Sequence, residues 1–205
     1  MCTMVLKETL AYYTVDSGEA FCTFLDVAKA FGRVDYCKLF RELMKRDIHP
    51  LNLRLMLHMH TDSDVCVSWD GSRSTTFRSI NGVKQGGTVS PVLFCMYLDS
   101  HLLALSRTRV GCFIGDVYVG ALAYADDVTL IAPTARAMRC MLHVCEEFSR
   151  EFCVKFNAAK SACVVVSTRP ERYSESMEFS INGKKIVFAN EYVHLGHVIT
   201  RNMDD

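Results

Sequence analysis

Two adjacent carboxylates, Asp126 and Asp127, interrupt an apolar stretch, Ala121-Leu-Ala-Tyr-Ala-Asp-Asp-Val-Thr-Leu-Ile-Ala-Pro133. Asp is a common turn residue because its side chain hydrogen-bonds nearby backbone, so one reading is the tip of a hairpin between two buried strands. The other is a divalent-metal site, since hard cations such as Mg²⁺ take carboxylate oxygens and share them with substrate phosphates. Neighbouring strand residues point to opposite faces, but at a tight turn both carboxylates can leave the same end of a sheet. Such a site needs a further carboxylate. Asp26 supplies one, near the C-terminal end of the β-compatible run Ala20-Phe-Cys-Thr-Phe-Leu-Asp-Val27, where open sheets place their sites.

Other metal chemistry is poorly supported. The pairs His58/His60 and His194/His197 have usable spacings, but no cysteine or carboxylate cluster accompanies either, so they read as ordinary packed or surface histidines. The ten cysteines are scattered without a Cys-x-x-Cys pair, which points to buried free thiols in a reducing compartment rather than a disulfide framework.

The elements that would position the carboxylates follow from periodicity. Val5, Leu6, Leu10 and Tyr13 predict a helix that the Asp16-Ser-Gly18 break ends. After the Asp26 strand, Asp35 is a candidate N-cap for a helix with Leu39, Phe40, Leu43 and Met44 on one face and Lys38, Arg41 and Lys45 on another. Pro50 opens a second, more apolar helix. Val65, Val67 and Trp69 alternate before an Asp70-Gly71 turn, a hairpin pattern that returns over 76–80. Ser90 and Pro91 fit the start of a helix apolar on nearly every side over 92–105, as a buried helix would be. Strands are expected at 118–124 and 128–132, then a helix from Pro133-Thr134 with the stripe Met138, Met141, Leu142, Cys145, Phe148 and Phe152. A short strand at 154–156, a turn at 157–160, a strand at 162–167, a polar loop at 168–176 and two strand pairs, around Asn182-Gly183 and at 192–199, complete the chain.

With 205 residues, half of them hydrophobic, the chain can bury a sizeable core as one domain. Its 23 basic and 23 acidic residues cancel, so any attraction for nucleic acid must come from local patches. There is no basic-then-apolar leader and no apolar run of about 18 residues, and the expectation is an intracellular protein of nucleus or cytoplasm, neither secreted nor membrane-bound.

In this order the stretches resemble the reverse transcriptases of non-LTR retrotransposons and, more distantly, those of group II introns. The matching segments are Phe24-Leu-Asp-Val-Ala-Lys-Ala-Phe31 (motif A), Gly82-Val-Lys-Gln-Gly-Gly-Thr-Val-Ser-Pro91 (motif B), Tyr124-Ala-Asp-Asp127 (motif C), Phe156-Asn-Ala-Ala-Lys160 (motif D) and Tyr192-Val-His-Leu-Gly196 (motif E, the primer grip). The resemblance implies an α+β polymerase palm with a split β-α-β, ferredoxin-like sheet. Partial fingers would occupy about 1–19 and 35–81, the palm about 20–34 and 82–205, and no thumb would be present. It implies that Asp26, Asp126 and Asp127 hold two Mg²⁺ ions, for which Mn²⁺ can substitute, and that the pair supports in-line displacement from about 3.5–4 Å apart. Val27, Phe31, Gln85 and Gly86 would line the nucleotide pocket, with Phe31 as the gate against a ribose 2′-hydroxyl. Lys160 would protonate the leaving pyrophosphate. Tyr192, Leu195 and Gly196 would bear on the primer. The implied partners are an RNA template, a DNA primer and deoxynucleoside triphosphates.

Two positions depart from the family: Gly32 stands where relatives usually carry Asp, and Gly87 where the retrotransposon branch is often acidic. No counterpart of the basic fingers residues, the thumb, an endonuclease or a zinc knuckle is found, and the expectation is that these belong to a longer parent protein. Two rival readings follow: a truncated, inactive module that at most binds nucleic acid, and a palm-like nucleotide cyclase. The cyclase would leave the Gly82 loop and the Tyr192 segment without a role.

Overall fold

The computed structural model describes residues 2–15, 18–168 and 177–202. Helix α1 (Cys2–Thr14) leads into strand β1 (Glu19–Asp26), a 3₁₀ turn (Phe31–Arg33) and helices α2 (Tyr36–Met44) and α3 (Pro50–Thr61). Four two-residue strands follow, β2 (Asp64–Val65), β3 (Ser68–Trp69), β4 (Ser72–Arg73) and β5 (Phe77–Arg78), then helix α4 (Ser90–Arg107). Strands β6 (Phe113–Ile114), β7 (Val117–Tyr118), β8 (Ala121–Tyr124) and β9 (Asp127–Ala132) precede helix α5 (Ala135–Phe152). The chain ends with β10 (Ala162–Ser167), β11 (Ser180–Ile181), β12 (Lys184–Lys185), β13 (Val187–Ala189), β14 (Glu191–His194) and β15 (His197–Thr200). Two compact units result: Met1–Ala28 with His101–Asp205, and Lys29–Ser100.

The first unit is a mixed α/β body built on a mixed sheet in the order β13-β10-β1-β9-β8, parallel only between β10 and β13. Strand alternation gives the sheet two faces. Cys22 and Phe24 of β1, Ile131 of β9 and Val164 of β10 pack with Leu6 and Leu10 of α1 in one core. On the other face Thr23 donates to the Met138 sulfur of α5 at 3.2 Å, and the Phe21 and Phe179 rings meet edge-on at 5.8 Å. The α5 stripe expected from the sequence is buried throughout. Thr134 caps α5 by accepting from the Ala137 N–H at 3.1 Å, and Cys153, left-handed at φ 56°, ends it. No helix among the described residues is long and apolar enough to cross a membrane.

The second unit starts with helix α2, whose cap is the expected Asp35: its carboxylate accepts from Lys38 N at 3.0 Å. The hairpin also forms, β2 with β5 and β3 with β4, around Asp70-Gly71, both with positive φ as a primed turn demands. Helix α3 forms where Pro50 predicts it, but none of its residues is buried and its apolar Leu51, Leu55 and Met59 face solvent. The α4 helix likewise buries Leu93, Phe94, Tyr97 and Leu98 but exposes Val92 and Leu103, so it is covered along one side rather than all round.

Other differences are local. Val154 to Phe156 makes no strand, only a single bridge between Phe156 and Val27. Strand β13, unmarked in the sequence, is recruited by β10. Of the polar loop expected at 168–176, residues 169–176 lie outside the described residues, as do Asp16 and Ser17 of the first turn.

Candidate active site

The site is built where β1 ends and β9 begins. Antiparallel register places Asp26 opposite Asp127, Leu25 opposite Val128 and Phe24 opposite Thr129. Alternation therefore puts Asp26, Phe24, Asp127 and Thr129 on one face of the sheet, the face that α1 covers further along. The two-residue turn between β8 and β9 is Ala125-Asp126, with Tyr124 paired to Asp127. The Asp pair is thus not wholly at the tip: Asp126 occupies the turn and Asp127 is the first residue of the strand. Ala125 takes the left-handed conformation, φ 52°, which costs a residue with a Cβ and is the kind of strain that functional turns retain.

Asp26 spends its main chain on the segment after α5. Its N–H donates to Ser161 Oγ at 3.2 Å, and its carbonyl accepts from Asn157 N at 2.8 Å. Both groups point away from β9, so the Asp26/Asp127 pair is of the non-hydrogen-bonded kind, in which facing side chains lie closer, with Cα atoms about 4.5 Å apart. Two carboxylates held this way repel. The Asp127 carboxyl is raised above the usual range, first by its partial burial and then by the charge of Asp126, with Asp26 adding and His194 opposing. Asp127 is nonetheless exposed overall, so the site opens to solvent on the Asp127 side.

Motif E lies over the same face. The β14–β15 hairpin pairs only with itself, and its inward residues fasten it to the sheet. The Tyr192 ring stacks on Phe24 at 4.3 Å and 9°, the His194 ring lies 5.1 Å from Phe24, and His194 Nε2 is 3.5 Å from the Thr129 hydroxyl. Burial lowers the His194 pKa, opposed by the nearby Asp127 charge, and burial followed by Asp127 and Asp26 raises that of Tyr192. The hairpin turn is Leu195-Gly196, both at positive φ; the Asp70-Gly71 and Asn182-Gly183 turns, also positive at both residues, carry Asp and Asn at the first position. A bulky residue in that conformation is an outlier.

Lys160 is exposed, in a turn whose backbone is tied to Asp26. Val27 is buried in its bridge with Phe156. In the Lys29–Ser100 unit Phe31 stacks on Phe94 at 5.0 Å, its carbonyl accepts from Val83 N at 2.7 Å, and Gln85 and Gly86 form an exposed turn with Gly86 at φ 82°. Two glycines there are steric requirements. A Cβ on Gly82 would come within 3.0 Å of Gly32 Cα and the Phe31 carbonyl, and one on Gly87 within 2.7 Å of Ser90 Oγ. Gly87 therefore fits its own turn despite departing from the family. Gly32 sits in the 3₁₀ turn with open space where its Cβ would be, and the helix start falls to Asp35.

Sequence reading missed Phe24, Thr129, Ser161 and His194. Phe24 and Thr129 were detectable from period-two alternation with Asp26 and Asp127; His194 and Ser161 depend on contacts between elements far apart in the chain.

The donor set suits a divalent ion in kind and placement. Among the described residues no three His, Cys, Asp or Glu side chains converge into a metal cage. Mg²⁺ does not ask for one, since it is bound through one or two carboxylates together with substrate phosphates. Uncompensated carboxylates at paired strand ends meet that description.

The reverse transcriptase (RNA-dependent DNA polymerase) family profile matches residues 4–199. The chain belongs to that family. Its relatives are non-LTR elements: it is 27% identical over 154 residues to the retrovirus-related Pol polyprotein of the type-2 retrotransposable element R2DM of Drosophila melanogaster, covering 75% of this chain and 14% of that protein. It is 26% identical over 186 residues to the RNA-directed DNA polymerase from mobile element jockey of Drosophila funebris, covering 88% of this chain and 19% of that one. This reverse transcriptase domain thus spans a fifth or less of these relatives. Its fold is shared with apo telomerase from Candida tropicalis, TM-score 0.59 at 14% identity, covering 90% of this chain and 34% of the telomerase.

Proposed function

We propose that this domain is the catalytic segment of an RNA-directed DNA polymerase of a non-LTR retrotransposable element, adding deoxynucleotides to a primer 3′-hydroxyl on an RNA template. The observation that carries the proposal is the register that sets Asp26 against Asp127 beside Asp126 in the turn. We assign about 20–34 and 82–205 to the palm and about 1–19 and 35–81 to the fingers on the family resemblance; the strands β10, β1, β9 and β8 fall within the palm portion, while α1 packs into the same core as the sheet. Membership of a longer parent polypeptide is consistent with the small share of each relative that the domain spans, and we place its work in nucleus or cytoplasm on the family resemblance.

In this reading Asp26 and Asp126 hold two Mg²⁺ (or Mn²⁺) ions, and Asp127 adds charge beside them. When bound, the ions supply a more acidic 3′-hydroxyl and neutralise the charge that develops on the transferring phosphoryl group. The protein's share of phosphoryl transfer is positioning and electrostatics. Tyr192, Leu195 and Gly196 orient the primer from a hairpin already pinned to Phe24 and Thr129. Lys160 delivers a proton to the departing pyrophosphate. Val27, Phe31, Gln85 and Gly86 bound the incoming nucleotide, Phe31 rejecting a 2′-hydroxyl by size.

Primer extension on an RNA template with Mg²⁺ tests the proposal. The chain should extend the primer and the Asp126→Asn variant should not. Equal output from both, at background, would favour an inactive module; conversion of ATP or GTP to a cyclic product would favour a cyclase.

A further inference from the structure

We infer that Ser161 is a positioning residue that makes the Asp26 strand end and the Lys160 turn move as one, so that a divalent ion on the carboxylates orders the turn that carries Lys160. The inference rests on the polymerase reading for the ion and on the hydrogen bonding for the coupling.

By register, β10 runs alongside β1 only as far as Ala162 opposite Phe24. Beyond that point Asp26 would have no ladder partner on its β10 side. The segment 157–161 supplies both: Asn157 N–H donates to the Asp26 carbonyl at 2.8 Å, and Ser161 Oγ accepts from the Asp26 N–H at 3.2 Å. The Ser161 hydroxyl, buried at 1% exposure, also donates to the Asn157 carbonyl at 2.9 Å. That carbonyl accepts in addition from the N–H groups of Lys160 and Ser161, each at 3.0 Å, and the Asn157 side chain accepts from Ala159 N at 3.2 Å. The turn is therefore closed upon itself around one carbonyl, with little internal slack. Its attachment to Asp26 is through two points, and Ser161 Oγ belongs to both the turn and the attachment. Displacing the turn stretches the Asp26 N–H bond, and fixing Asp26 fixes the turn. Of the two groups, the hydroxyl is the one a side-chain substitution can remove.

Amide hydrogen exchange of the full chain, with and without Mg²⁺, tests this without recourse to catalysis. In the wild type Mg²⁺ should slow exchange at Asp26 and also across 157–161, by about tenfold, the worth of roughly one well-made hydrogen bond. In Ser161→Ala the slowing at 157–161 should shrink severalfold, since only the Asn157 N–H bond and the Val27–Phe156 bridge then tie the segment to the strand end. Ser149→Ala, which deletes another buried hydroxyl, one that donates to the Val154 carbonyl and does not touch Asp26, is the matched control and should keep it. Should Ser161→Ala fail to fold, the wild type alone decides: protection at Asp26 without protection at 157–161 overturns the coupling and leaves the polymerase reading standing. Protection at neither place overturns the metal reading and the coupling together. A Ser161→Ala protein that retains the full wild-type Mg²⁺-dependent protection at 157–161 also overturns the role given to Ser161.

Discussion

The two units of the chain differ in what they bury and what they charge. The unit of Met1–Ala28 and His101–Asp205 closes both faces of a five-stranded sheet, and β9 is buried along its whole length after Asp127. The Lys29–Ser100 unit leaves α3 without one buried residue and raises Trp69 on a hairpin at 82% exposure. Charge divides the same way. Residues 29–100 carry ten basic and seven acidic side chains, net +3, and the remainder thirteen and sixteen, net −3, so the overall zero hides two opposed units. The unit that sets Asp26 against Asp127, with Asp126 in the adjoining turn, is the one with the larger buried sheet core. The Lys29–Ser100 unit carries the net positive charge.

The contrast is broken or sharpened most strongly by core truncation. Leu130→Ala, at a fully buried position of β9, should cost about 2–5 kcal/mol in denaturant unfolding, whereas Leu55→Ala on α3 should stay within about 0.5 kcal/mol. Comparable losses would erase the distinction.

Acid should act on the sheet unit next. His101 is fully buried against Phe148, ring centroids 4.4 Å apart, and neither of its ring nitrogens has a hydrogen-bond partner among the described residues. Burial lowers its pKa to about 4 from the ordinary 6.5. Between those values the unfolded chain binds a proton that the folded chain does not. Stability should therefore fall by up to about 3 kcal/mol as pH drops from roughly 6.5 to 4, and be unaffected by His101 above that window. His101→Phe should flatten this part of a stability–pH curve.

Helix caps exist in both units and offer a smaller, matched effect. Thr134→Ala and Asp35→Ala should each cost about 1 kcal/mol. If the units open separately, Asp35→Ala will speed hydrogen exchange within Lys29–Ser100 alone. Trp69→Ser should leave the melting temperature within a degree or two, corresponding to about 0.5 kcal/mol or less, because the ring packs against little.

How much the sequence revealed follows the same division. In the sheet unit, periodicity located β1, β9, α5 and β10, because each is buried on a regular face. Alternation could also have shown that Phe24 shares a face with Asp26. The sequence could not show that Asp26 is opposite Asp127, since register between strands a hundred residues apart depends on the whole sheet. Nor did β13 carry a signal, as three residues paired at an edge need none. In the other unit the sequence marks α3 as an apolar helix, and only the fold shows that nothing within the unit buries Leu51, Leu55 and Met59. His194 looked like an ordinary histidine until the hairpin laid it against Phe24 and Thr129.

The most direct test is to replace Asp26 by Asn, an isosteric change that leaves its main-chain bonds to Ser161 and Asn157 in place, and to measure RNA-templated primer extension and thermal unfolding on the same protein. Extension should fall by roughly a thousandfold, as loss of a principal electrostatic group does. The melting temperature should hold or rise, because one of two facing negative charges is gone. Extension at the wild-type rate by Asp26→Asn would contradict the assignment of the strand-end carboxylates as the catalytic centre.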